Sequence, residues 1–189
     1  RPPRSTLSSS SAASDVYKRQ EYPYFIHPIS DGIPRMDPDV LRATRDLIVS
    51  SVDWSQVDLI VSVEAMGLPL LAAVGDATGK PTVVVRKRSY GMEGETRVDV
   101  ATGYSQSTVY INDIKAGERI VIVDDVISTG GTLEPLIQQL EDMGVILQDI
   151  VIAIEKGEGR ERLNREKPHW PIRSLARIDI IDGKVEIVG

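Results

Sequence analysis

Three observations predict an α/β fold with a mostly parallel central sheet flanked by helices. Apolar runs of strand length alternate along the chain with helical patterns. One run, Ile120-Val121-Ile122-Val123, shows no polar alternation, as a strand covered on both faces requires. Polar or glycine-bearing segments at 64–67, 86–88, 124–132 and 155–157 each follow an apolar run directly. They would meet at the carboxyl edge of one sheet, where open α/β sheets bind ligands.

The elements follow in order. Residues 21–35, E-Y-P-Y-F-I-H-P-I-S-D-G-I-P-R, form an aromatic- and proline-rich lead-in. Asp37 and Pro38 supply an N-cap and a first-turn proline. The helix they open is carried by Val40, Leu41, Thr44, Leu47 and Ile48. Residues 58–63 are a short apolar strand, and Glu64-Ala65-Met66-Gly67 is its exit loop. A Leu- and Ala-rich helix over 68–77 is closed by Gly79 and Pro81, and 82–85 is the next strand. From 86 to 95 the pattern breaks into polar, glycine-containing sequence. Strand-like runs near 98–102 and 108–111 precede a turn at 115–118.

The strand at 120–123 leads into Asp124-Asp125 and then a helix with Leu133, Leu136, Ile137, Leu140 and Met143 three and four apart. Pro135 sits in its first turn, and Gly144 stands at a left-handed C-cap. A strand at 150–154, a short helix near 160–165 and strands near 175–181 and 184–188 complete the chain. Asp182-Gly183 marks a hairpin between the last two.

The 189 residues, 41% hydrophobic and 26% charged, suit one soluble globular domain. No apolar run approaches the roughly 20 residues that cross a bilayer, so no membrane partner is expected. With no cysteine there is no disulfide or thiolate chemistry, which fits a reducing, cytoplasmic location. A net charge of −6 speaks against a nucleic-acid partner. Residues 1–20, rich in serine and without an apolar segment, are expected to be a disordered tail rather than a secretory signal. The run S-A-A-S-D-V-Y-K-R-Q within it resembles a translated sequencing adapter, so the tail is treated as non-native and the functional domain as residues 21–189.

The chemistry concentrates in residues 124–132, D-D-V-I-S-T-G-G-T. Amides at a helix start lack intrahelical partners, and the helix dipole adds partial positive charge there. Gly130 and Gly131 allow close approach of the backbone to a ligand, and Ser128, Thr129 and Thr132 add hydroxyl donors. The loop lacks the lysine of the triphosphate-binding pattern and is not a G-x-G-x-x-G turn, so a phosphate monoester fits it best. Two carboxylates beside a phosphate would repel it unless hydroxyl donors or a cation lie between. A 5-phosphorylated ribose, with or without a divalent cation, meets both needs.

Residues 120–132 resemble the phosphoribosyl-pyrophosphate signature of the type I phosphoribosyltransferases. Along roughly 21–187 the chain is most similar to the archaeal hypoxanthine/guanine enzymes, themselves similar to the adenine and xanthine enzymes. The resemblance implies the type I phosphoribosyltransferase fold with a small hood, formed by 21–36 and the C-terminal part. It implies that Asp124 and Asp125 are the catalytic pair holding the ribose hydroxyls, touching Mg²⁺ only through those hydroxyls or water. Ser128, Thr129, Gly130, Gly131 and Thr132 would hold the 5-phosphate. Ala65, Met66 and Gly67, with Arg86 and Lys87, would receive pyrophosphate, and Ser89 to Glu95 would be a loop that closes over the site. Lys156 would donate to the 6-oxo group of the purine, and Phe25 would stack on the base.

The expected reaction joins hypoxanthine or guanine to phosphoribosyl pyrophosphate, with Mg²⁺ as cofactor, in a homodimer. Some 6-oxopurine enzymes have an aspartate at the position of Ser128, and adenine enzymes have a glutamate aligned with Gly103. This chain has neither. The alternatives are an adenine enzyme and a non-catalytic sensor of phosphoribosyl pyrophosphate.

Overall fold

A computed structural model describes residues 15–19, 22–101 and 106–189. Its centre is a six-stranded sheet in the order β10-β9-β8-β7-β3-β4. The strands are β3 (Leu59–Val63), β4 (Thr82–Val85), β7 (Arg119–Ile127), β8 (Ile146–Lys156), β9 (Ile172–Ile181) and β10 (Lys184–Ile187). Every neighbouring pair is parallel except β9–β10, which is antiparallel. The turn between those two is Asp182-Gly183, with φ of 50° and 74°. Two successive positive values are the geometry that lets a two-residue turn follow the twist of its strands.

Side-chain alternation along each central strand divides the core. Ile120 and Ile122 enter one cluster with α4 (Leu133–Asp142), whereas Val121 and Val123 enter the other with α2 (Pro38–Ser51) and α3 (Gly67–Thr78). All four are fully buried. This is why the sequence lacks polar alternation there: both faces are covered, and each such side chain contributes about 1.5–3 kcal/mol by leaving water. Pro38 opens α2 behind Asp37, whose carboxylate accepts the Asp39 N–H at 2.8 Å. Gly79 ends α3 with φ 66°, and Gly144 follows α4 with φ 79°, both left-handed as the sequence requires.

Several boundaries differ from expectation. Strand β7 continues through Asp124 and Asp125 to Ile127, and β8 continues to Lys156. The site residues therefore end strands rather than begin loops, because the β7–β8 ladder runs on to Ile127↔Glu155. Strands β5 (Thr96–Ala101) and β6 (Gln106–Ile111) form a separate antiparallel hairpin outside the main sheet. A one-turn helix, α1 (Pro28–Asp31), lies inside the expected lead-in, capped by His27. Asp15–Arg19 (β1) pairs antiparallel with Tyr22–Ile26 (β2), so part of the segment expected to be a disordered tail forms a strand. Residues 1–14, 20–21 and 102–105, with Gly103, lie outside the described residues. Among the described residues no helix is long and apolar enough to cross a membrane.

Candidate active site

The carboxyl ends of β3, β7 and β8 open onto one cavity of about 490 Å³. Its walls include Ala65, Met66, Lys87, Asp124, Asp125, Lys156, Phe25 and the whole of Ser128 to Thr132. Segments 60 residues apart in the sequence thus share one space, as parallel strands with their exits on one edge dictate. Further walls that the sequence did not single out include Ser30 of α1, Val126 and Ile127 of β7, and Val100, Ser107 and Val109 of the β5–β6 hairpin.

Asp124 and Asp125 form the floor. Burial is the main force pushing both carboxyls above the ordinary range. Asp124 rises to about 6, held from going further by contacts with Asp125 and Ser62 and by the Lys87 charge. Asp125 rises well above its usual value, with the neighbouring Asp124 charge as the second cause. Asp124 Oδ1 is buried without a hydrogen-bond partner among the described residues. A floor of this kind asks for donors or a cation from a ligand. No group of three or more His, Asp or Glu converges into a chelating set among the described residues. Two carboxylates suit Mg²⁺, which keeps waters and substrate phosphate oxygens rather than a full protein cage.

The phosphate-type loop is a turn between β7 and α4. Gly130 has φ 80°, and Thr129 Oγ1 accepts the Gly131 N–H at 3.3 Å. Thr132, at the N-cap of α4, makes no side-chain capping bond. Across the cavity, Met66 at the N-cap of α3 makes none either, and the Glu64–Ala65 peptide bond before it is cis. Both helix starts therefore keep amides available to an anion.

Two of the expected pyrophosphate residues stand apart from the cavity wall. A Cβ on Gly67 would overlap the Ser62 hydroxyl and stand 2.5 Å from Asp124 Oδ1. Gly67 is thus needed for close packing under the floor, not as a lining residue. Arg86 turns its guanidinium to Glu64, at 3.3 Å, and lies 5.8 Å from the Tyr90 ring centre. The Glu64 carboxylate also accepts the Lys87 N–H, so it orders the start of the 86–95 segment. That leaves Lys87 as the cation from this segment in the cavity wall. Phe25 both lines the cavity and packs into the α2–α3 core cluster at 4% exposure.

Lys156, at 7% exposure, ends β8 on the cavity side. The preceding Glu155 is wholly buried, and its Oε2 accepts from Arg160 Nε at 2.5 Å and Ser174 Oγ at 2.6 Å. An ammonium carries donors only, so it matches an acceptor rather than another donor.

Comparison with known proteins bears on the family and the fold. Residues 35–174 match the family described as phosphoribosyl transferase domain. A relative from Methanocaldococcus infernus, named hypoxanthine/guanine phosphoribosyltransferase, is 49% identical over 181 residues, covering 96% of this chain and 98% of its own length. Another of that name from Methanotorris igneus is 46% identical, with 90% and 93% covered. The solved structure of an APRTase from Giardia lamblia, complexed with 9-deazaadenine, shares the fold at a TM-score of 0.73. It is 20% identical, over 87% of this chain and 93% of that one. A signature loop and acid pair on one sheet edge, a family match over most of the chain and near full-length relatives lead to one conclusion: the chain belongs to the phosphoribosyl transferase family.

Proposed function

We propose that this protein transfers the 5-phosphoribosyl group of phosphoribosyl pyrophosphate to hypoxanthine or guanine, releasing pyrophosphate. A purine ring nitrogen attacks C1 of the ribose, the C1–O bond to pyrophosphate breaks, and its electron pair leaves with the pyrophosphate oxygen. The nitrogen's proton passes to water. The observation that carries this reading is the placement of Lys156 in the same cavity as Asp124, Asp125 and the 128–132 loop. The loop holds the 5-phosphate through amides and hydroxyls, Asp124 and Asp125 accept the ribose hydroxyls, and Lys87 with the start of α3 takes the pyrophosphate. Phe25 and Val126 supply apolar surface for the base. Asp124 and Asp125 would also face Mg²⁺ through water or ribose oxygens, and the ion would supply neutralising charge for the pyrophosphate. In this reading rate comes from positioning and charge stabilisation, since Ser128 stands where some relatives have a carboxylate.

The protein is further proposed to act in the cytoplasm as a homodimer, a state that light scattering of the purified chain reads directly. The test of the reaction is nucleotide formation from phosphoribosyl pyrophosphate and Mg²⁺ with hypoxanthine, guanine, xanthine or adenine. Turnover of hypoxanthine or guanine is expected. Turnover of adenine alone would overturn the role given to Lys156, and failure with all four would favour a sensor of phosphoribosyl pyrophosphate.

A further inference from the structure

The phosphate loop is held from behind by groups outside the cavity wall. Gly159 N–H donates to the Ser128 carbonyl at 2.9 Å. Arg162 Nη2 donates to the next carbonyl, that of Thr129, at 3.3 Å. Both donors belong to α5 (Gly159–Glu166), the helix that follows Lys156 after a two-residue turn. Across the loop, Ala101 N–H donates to the Gly131 carbonyl at 3.0 Å.

These bonds fix which way the amides point. In a planar trans peptide, C=O and the following N–H are directed oppositely. With the Ser128 and Thr129 carbonyls tied to α5, the N–H groups of Thr129 and Gly130 face away from α5. Both residues line the cavity. The contact is tight: a Cβ on Gly159 would overlap the Ser128 carbonyl oxygen and stand 2.8 Å from Gly130 N, and one on Gly130 would stand 2.9 Å from Leu163 Cδ1. The helix is anchored at its other side by Arg160 on buried Glu155. Arg162 is oriented by Glu134 of α4 and by Glu166, each at 2.7 Å.

We propose that Arg162 is a positioning residue that, through the Thr129 carbonyl, aims the amides of the 128–132 loop at the 5-phosphate, with α5 as the brace linking that loop to the base-binding Lys156. The role rests on the phosphate-binding reading of the loop. Arg162 reaches the ligand only through the loop. Its guanidinium spans Thr129, Glu134 and Glu166 at once, which the single point charge of lysine cannot reproduce.

The test uses the full chain with Arg162→Ala, Arg162→Lys and, as a control at an exposed position of the same helix, Arg165→Ala. Calorimetry gives the Kd for ribose 5-phosphate, and steady-state kinetics gives the KM of each substrate. Arg162→Ala is expected to weaken ribose 5-phosphate and raise the KM for phosphoribosyl pyrophosphate about tenfold, as loss of a charged hydrogen bond implies, with the hypoxanthine KM within about twofold. Arg162→Lys should fall between, and Arg165→Ala should match wild type. Unchanged ribose 5-phosphate affinity in Arg162→Ala, or an equal loss for both substrates in Arg162→Lys, overturns the positioning role. Arg162→Lys decides the matter if Arg162→Ala does not fold. Wild-type protein that fails to bind ribose 5-phosphate sinks the phosphate-loop reading itself, and the brace with it.

Discussion

Lys156 closes β8, almost buried and in the lining of the cavity, so its replacement tests the base recognition proposed for it. Lys156→Met keeps the length of the stem and removes the donor. It should lower kcat/KM for hypoxanthine by about 10- to 100-fold, the worth of one charge-assisted hydrogen bond, while ribose 5-phosphate binds as before. Asp124 makes the second prediction at this scale. Its carboxyl sits near 6 because burial opposes its charge, yet in the proposed complex the charged form would hold a cation and ribose hydroxyls more strongly. Affinity for phosphoribosyl pyrophosphate should therefore fall as the pH drops through about 6. Asp124→Asn should bind weakly at every pH and show a weaker dependence, as a pH series of KM values would read. Both residues were legible because adjacent carboxylates after an apolar run, and a lysine directly after a strand, are conspicuous in sequence. The turning of Arg86 toward Glu64 was not, since only folding brings the ends of β3 and β4 side by side.

Among the elements, the 86–95 segment carries its own fastening. The Glu95 carboxylate accepts the Tyr90 N–H at 2.9 Å and Asn112 Nδ2 at 3.0 Å, and also takes the Ser89 hydroxyl. These bonds, led by Ser89, hold its carboxyl down at about 2. Tyr90 is stacked under Arg88 at 4.9 Å, with Met92 exposed nearby. Glu95→Gln leaves a neutral acceptor with weaker bonds. It should raise the rate of limited proteolysis within 86–95 by about fivefold through easier local opening, without lowering the midpoint of global unfolding measurably. Equal cleavage rates in the two proteins would show that Glu95 does not fasten the segment. Sequence gave the polar break and its two glycines but not the fastening, because Glu95 meets Asn112 only once β5 and β6 pair. The same long-range pairing hid the hairpin: two strand-like runs were plain, yet nothing local said that they leave the main sheet. The central strands were legible for the opposite reason, since burial on both faces leaves a continuous apolar run.

For the whole molecule, acid should act in two opposed ranges, because two sets of carboxyls are displaced in opposite directions. Asp124 and Asp125 titrate above their unfolded values, so the folded protein binds more protons than the unfolded chain between about 4 and the raised values. Their contribution to stability is present below the unfolded pKa and is lost as the pH rises through about 6 and beyond. Asp58, bonded to Arg119, and Asp99, bonded to Thr108 and Arg97, are displaced downward, as is Glu95. Their contributions are present above the ordinary carboxylate range and are lost as the pH falls through the lowered values. The substrate-free protein should thus have its highest melting temperature at mildly acidic pH, near about 5, between the two ranges. In the proposed complex ribose 5-phosphate with Mg²⁺ would compensate the charged acid pair, so its presence should move that maximum toward neutrality. Asp124→Asn, which removes one of the two raised carboxyls, should flatten the rise between pH 8 and 5 while leaving the acid limb in place. Scanning calorimetry across pH, with and without ligand, reads all three curves. A substrate-free melting temperature that climbs steadily from pH 5 to 8 would mean that the acid pair is solvated and charged, and that the floor of the cavity does not store the charge stress inferred from its burial.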